Sequence, residues 1–165
     1  MSGFRERLEW DAEHGAIIDQ TRRYMMIRPE ALMDALASMP EPARRTAFWS
    51  LEASVFRQGS DSARAYAEMG GGGDALLATV AATAPQLGWG VWEVTREPGR
   101  ILLTVRNSPF AAACPRGMPY PVCTPIQGML RAVSGMVFGR LTRVTETACA
   151  AIDSPDCRFV AEPAD

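Results

Sequence analysis

The sequence predicts an α+β fold, with a helical N-terminal half followed by a mostly antiparallel sheet. Three observations predict it. Apolar residues recur at helical spacing in successive stretches from Leu32 to Ala84. Two β-rich runs, Val91 to Thr95 and Ile101 to Val105, flank Arg96-Glu97-Pro98-Gly99-Arg100, which reads as a hairpin turn. One amphipathic stretch then separates that hairpin from two further β-rich runs, which gives the order β-β-α-β-β.

Taken in order, residues 1–13 are a polar lead-in with room for one short helix, and Ala16 to Ile27 predicts a strand. Pro29 falls at a first helical position, and Leu32, Met33, Leu36 and Met39 share one face until Pro40. Glu41-Pro42 restarts a helix carrying Ala47, Phe48, Leu51, Val55 and Phe56. Gly59 predicts its end and Ser60 the cap of another helix running through Tyr66 and Met69. Gly70 to Gly73 reads as a flexible linker, with Asp74 capping a helix that carries Leu76, Leu77, Val80, Ala81 and Ala84. Asn107 to Val122 holds four prolines and predicts an irregular stretch. Thr124-Pro125-Ile126-Gln127 then starts a helix with a capping Thr, Pro at the first position and Gln three residues after the cap. Ile126, Met129, Leu130, Val133, Met136 and Val137 form its apolar stripe, and Gly139 ends it. Leu141 to Glu146 and Cys157 to Ala161 predict the last two strands.

The 165 residues, 47% of them hydrophobic, suffice for one core, so residues 1–165 are expected to form a single domain. A net charge of −2 gives no electrostatic case for nucleic acid as a direct partner. No stretch is long and apolar enough to span a bilayer, and Met1 to Trp10 is charged, so the expectation is a cytoplasmic protein with no membrane partner. In a reducing compartment four cysteines read as thiols or metal ligands. The one histidine, His14, sits in an ordinary charged segment.

Three of those cysteines, Cys123, Cys149 and Cys157, join Glu146 in a constellation of thiols and a carboxylate that suits a tetrahedral Zn²⁺ site. Unliganded thiols, or a Cys149–Cys157 disulfide, are the alternatives, and Cys114 lies outside the pattern. Among the aromatic residues, Trp92, Tyr120, Phe110, Trp89 and Phe56 are candidates to line a ligand cavity. For each, simple core packing is the competing reading. Trp92 and Tyr120 lead because each offers a hydrogen bond beside an apolar face. Glu93 and Glu97 lack a catalytic partner motif and read as solvated surface, while Gly70 to Gly73 has neither the preceding strand nor the following Lys of a phosphate loop. Gly128 and Gly135 permit close approach of another backbone, in a dimer or within the chain.

Ser108-Pro109-Phe110, Pro121-Val122-Cys123, Gly128, Gly135, Gly139, Glu146-Thr147-Ala148-Cys149 and Cys157-Arg158-Phe159 together resemble the 4-vinyl reductase domain family. The likeness is clear over 91–162, and the family-like core spans about 16–162. The family is similar to the sensor domain of aromatic-responsive transcriptional activators and to bacteriochlorophyll-biosynthesis proteins of the 4-vinyl-reductase type. It implies a ligand-binding domain of the NO-signalling/Golgi-transport type, with an internal apolar cavity and frequent dimerisation. In the activators one Cys, one Glu and two further Cys hold a zinc. The gaps here, 22 residues from Cys123 to Glu146, two to Cys149 and seven to Cys157, match that set.

The resemblance therefore implies a structural Zn²⁺ on Cys123, Glu146, Cys149 and Cys157. It also implies a cavity for a small hydrophobic molecule, an aromatic hydrocarbon or a tetrapyrrole, in a homodimer. The chain departs from the family in two ways. No helical histidine is present for haem, and no ATPase or DNA-binding segment follows the sensor-like part. A sensor or carrier is the leading expectation. A tetrapyrrole-pathway protein is the alternative, as a carrier rather than a reductase because no Gly-x-Gly-x-x-Gly fingerprint supplies a hydride donor. A dimerising interaction module is the third reading.

Overall fold

The computed structural model describes residues 3–68 and 72–164. A 3₁₀ turn at Arg5–Arg7 leads into a three-stranded antiparallel meander, β1 (Glu9–Asp11), β2 (Ala16–Asp19) and β3 (Arg22–Tyr24). The single strand expected over 16–27 is thus a hairpin, because Gln20 takes a positive φ of 59° and reverses the chain between Asp19 and Arg22.

Helix α1 (Pro29–Ala37) begins at the expected proline. Helix α2 (Ala43–Glu68) then runs 26 residues without a break and corrects the expectation of an end at Gly59 with a new cap at Ser60. Gly59 is buried mid-helix, where an added Cβ would lie 3.1 Å from the Met129 sulfur, so its role is close packing. The Ser60 hydroxyl donates back to Phe56 O at 2.7 Å and caps nothing. Of the expected linker, Gly70 and Gly71 lie outside the described residues, as does Met69. Helix α3 (Asp74–Thr83) is entered from Gly73, and Asp74 is its first residue rather than its cap, with its carboxylate receiving Arg96 at 2.8 Å.

The main sheet holds β4 (Val91–Glu97), β5 (Arg100–Arg106), β6 (Thr142–Ala148) and β7 (Cys157–Pro163), all antiparallel in the order β4-β5-β7-β6. Strands 5, 6 and 7 alternate buried and exposed residues, so Ile101, Leu103, Val105, Val144, Phe159 and Ala161 face the core. The expected irregular stretch contains a short helix, α4 (Pro109–Ala112), whose first turn is capped by Ser108.

Helix α5 (Thr124–Phe138) lies between the sheet and α2, which is why Ile126, Leu130 and Val133 are almost wholly buried. Gly128 accounts for the approach of α2: a Cβ there would sit 2.4 Å from Glu52 O. The contact left open between dimer and monomer is, at Gly128, a contact within the chain. Thr124 does not cap this helix. Cys123 occupies the cap position, and the Thr124 hydroxyl is buried without a partner. No helix among the described residues is long and apolar enough to cross a membrane.

Candidate metal centre and surface grooves

The alternation of the sheet carries two polar side chains to its apolar face: Glu146 on β6, next but one to Val144, and Cys157 at the start of β7, opposite Val105. A register shift between Glu146 and Ala148 ends the regular pairing of β6, and Cys149 follows it in a turn closed by Ile152 N–H donating to Cys149 O. Cys123 precedes α5. Loop, strand, turn and strand thus deliver four potential ligand atoms that all lie within 4.8 Å of one another, on four buried residues. The four metal-site residues predicted from sequence come together.

The bonds around these groups leave the ligand positions open. Cys123 N–H donates to Glu146 Oε2 at 3.0 Å, while Oε1 is buried with no hydrogen-bond partner. The carboxylate is therefore held by one oxygen and presents the other to the three sulfurs. Ala150 N–H donates to Cys157 Sγ at 3.4 Å, and Ser108 Oγ lies 3.3 Å from Cys123 Sγ. Such outer contacts orient ligands and moderate thiolate charge. The Cys123 and Cys157 sulfurs are 3.4 Å apart, against about 3.8 Å for two thiolates on one tetrahedral zinc.

Electrostatically the cluster is under tension. Burial, with the nearby Cys149, pushes the Glu146 carboxyl up to about 9. Hydrogen bonds with Cys149 and Cys157, and then burial, raise the Cys123 thiol, while Cys157 is pulled down to about 4 by hydrogen bonds from Cys123 and Cys149. These directions describe a thiolate on Cys157, solvated by its neighbours, beside a carboxyl that stays protonated. Groups of one charge sign crowded into a buried site suppress one another's ionisation, and a cation among them reverses that. Donor set, spacing and the unpartnered Oε1 all fit Zn²⁺. Four protein ligands would close the coordination sphere, so such a metal would brace the fold rather than activate water. Cys114, outside the cluster, is a buried thiol raised by burial to about 11.

The five aromatic candidates fall in three places. Trp89 and Phe110 meet edge to face with centroids 5.4 Å apart, and the Trp92 ring N–H donates to Trp89 O at 3.0 Å. Tyr120 packs on Phe48 and lines an open groove of about 310 Å³ with Trp49, Thr124 and Glu146. Its hydroxyl donates to Glu41 and accepts from Arg44. Phe56 lies under the Arg131 guanidinium, 4.4 Å away, in a second groove of about 430 Å³. Sequence reasoning missed this second groove, since its Arg64, Arg131 and Arg140 are far apart in the chain and only the packing of α2 against α5 gathers them. The Arg64/Ser60/Phe56 spacing of one helical face was the available signal. His14 is exposed and bonded to Asp11, and Glu93 and Glu97 pair with Arg106 and Arg100 on the hairpin surface.

No curated protein matches the chain significantly. The fold is similar to the phenol-responsive sensory domain of the transcription activator PoxR, solved with phenol, at a TM-score of 0.80 and 16% identity over 96% of this chain and 86% of that one. A trafficking protein particle complex subunit 3 from Naegleria fowleri, covalently bound to palmitic acid, follows at 0.59 and 14% over 83% and 95%. A vinyl-4-reductase family protein from Methanocaldococcus jannaschii matches at 0.53 and 13% over 86% and 98%. At such identities the likeness is one of fold, and it bears out the expected α+β class. The family model of the 4-vinyl reductase domain matches residues 101–163, the span that contains Cys123, Glu146, Cys149 and Cys157. In that span the chain is a 4-vinyl reductase domain.

Proposed function

We propose that this protein binds a small hydrophobic or aromatic molecule, as a sensor or carrier, on a fold braced by a structural zinc. The observation that carries the reading is the buried cluster of Cys123, Cys149, Cys157 and Glu146, with Glu146 Oε1 left without a partner. Zinc would link the loop before α5, the end of β6 and the start of β7. It would supply the positive charge that lets the thiols lose their protons. The family match and the fold shared with a phenol-bound sensory domain support the small-molecule role. Trp89, Trp92 and Phe110 would form the aromatic wall of the ligand site. Affinity there would come mainly from apolar burial, at about 25 cal/mol per Å². The exposed apolar side chains of Trp10, Met25 and Met26 support a homodimer.

Two measurements test this. Elemental analysis of reduced protein is expected to find one zinc per chain, and less than about half an equivalent would remove the structural site. Titration with phenols, alkylbenzenes and a porphyrin, followed by Trp fluorescence, is expected to show saturable quenching by the single-ring aromatics. Quenching by the porphyrin alone would instead favour a tetrapyrrole carrier, and silence from all of them an interaction module.

A further inference from the structure

The groove between α2, the C-terminal half of α5 and the turn into β6 combines apolar and cationic walls, unlike the aromatic wall of Trp89, Trp92 and Phe110. Its floor and one wall are apolar, from Phe56, Met136 and Leu141, and Leu141 is 70% exposed. Three arginines, Arg64, Arg131 and Arg140, complete the lining. Their charges are unevenly matched. Arg64 pairs with Asp61 at 3.4 Å and Arg131 with Glu52 at 3.2 Å, and neither carboxylate lines the groove. The Arg140 side chain makes no hydrogen bond or ion pair among the described residues. Arg131 is also stacked on Phe56 and gives only Nη1 to Glu52, so its guanidinium is held in place with other N–H groups to spare.

The end of α5 would ordinarily place bare carbonyls here, and these repel an anion. They are covered: Gly139 N–H donates to Met136 O and Arg140 N–H to Gly135 O, the latter at 3.1 Å. Gly139, with a positive φ of 66°, has no atom within 4 Å of an added Cβ, so the mouth beside Arg140 is open. A volume of about 430 Å³ lies in the range of small-ligand sites.

We propose that this groove binds a small apolar molecule ending in a carboxylate, an aryl or short alkyl acid. The acid group would lie between Arg140 and Arg131, and the apolar body would cover Leu141 and Met136. A planar guanidinium fork matches a carboxylate in geometry as well as charge, which favours an acid over a neutral phenol or alcohol. The site is separate from the Trp89, Trp92 and Phe110 wall, so the two ligand readings stand or fall independently.

Calorimetric titration of the zinc-loaded protein with 4-butylbenzoate tests it. One saturable site is expected, with affinity weakened about tenfold or more in Arg140→Ala and partly restored in Arg140→Lys. The methyl ester of the same acid is expected to bind about tenfold more weakly than the acid, and the acid's affinity to fall as salt rises. Leu141→Ala, which leaves the charges in place, is expected to weaken the acid and its ester alike. Equal affinity for acid and ester, an unchanged affinity in Arg140→Ala, or no binding at about 10 mM acid would overturn the proposal. Arg140 is exposed, so its variants are expected to keep the fold, and unchanged zinc content would confirm this. Phenol quenching of Trp fluorescence is expected to be unaffected by Arg140→Ala, which separates a failure here from a failure of the aromatic site.

Discussion

Two carboxylates are buried in this protein, and they are handled in opposite ways. Asp19, at the end of β2, is 4% exposed and receives the Arg7 guanidinium, which also donates to the Tyr66 hydroxyl at 3.0 Å. That knot ties the N-terminal meander to α2 with charges that already balance. Glu146 is 7% exposed and faces three sulfurs, with one oxygen bonded to a backbone N–H and the other to nothing. Desolvating a carboxylate costs several kcal/mol unless an opposite charge or enough hydrogen bonds replace the water. The N-terminal site has its compensation within the chain. The C-terminal one does not, and four ligand atoms around one point say what kind of group would provide it.

The comparison can be broken most forcefully at the metal. With free zinc about 1,000-fold above its dissociation constant, the reduced protein is expected to gain about 4 kcal/mol over the chelated form, and Cys123→Ser to lose most of that gain. Thermal unfolding at buffered zinc measures it, and identical midpoints with zinc and with chelator would mean that Glu146 needs no cation. The Asp19 site should respond to its own partner instead. Arg7→Ala leaves a buried carboxylate uncompensated and is expected to cost about 3 kcal/mol in urea unfolding, with zinc present or absent.

A smaller effect sharpens the contrast because its sign differs between the two sites. In chelated protein, Glu146→Leu replaces an uncompensated polar group with an apolar one and is expected to stabilise by about 1 kcal/mol. Asp19→Leu, which strands Arg7 and Tyr66, is expected to destabilise. Destabilisation by both would show that Glu146 is satisfied without a metal.

The smallest effect is in pH dependence. Glu146, raised to about 9, holds a proton that the unfolded chain releases near 4.5, so its contribution to stability declines as pH rises through that window. Cys157, lowered to about 4, has lost a proton that the unfolded chain keeps to about 9, so its contribution grows over nearly the same window. The two slopes oppose, and the chelated protein is expected to show little net pH dependence from the pair. Cys157→Ser removes the rising contribution alone, so the stability of that variant, chelated, is expected to fall between about pH 5 and 9 in urea titrations, in step with Glu146. A flat profile in the variant would mean that Glu146 is not raised by burial.

The ligand set was readable from the sequence because thiol and carboxylate types are rare in an apolar sheet and their spacing is discrete. The hairpin at 91–106 and helix α5 were readable because turn residues, a terminal glycine and an apolar stripe are local signals. Helix α2 was misjudged at Gly59 because a glycine that ends a helix and a glycine that admits a neighbouring helix look the same in one dimension. The capping role expected of Thr124 failed in the same way. Position relative to proline suggested a cap, but the chain enters the helix one residue earlier, through Cys123.

By itself, then, the sequence determined the class of the fold, the strand and helix order of the C-terminal half, and the identity of four groups able to hold a metal. These follow from periodicity, turn chemistry and ligand type, all written along the chain. The tertiary structure decided what depends on distance between remote segments. It brought four ligand atoms within 4.8 Å and left one carboxylate oxygen unmet. It ran α2 unbroken against α5 through Gly59 and Gly128, and so gathered three separated arginines around one apolar groove. Burial and proximity set the charge state of a group and the partners it lacks, and both are properties of the packed molecule.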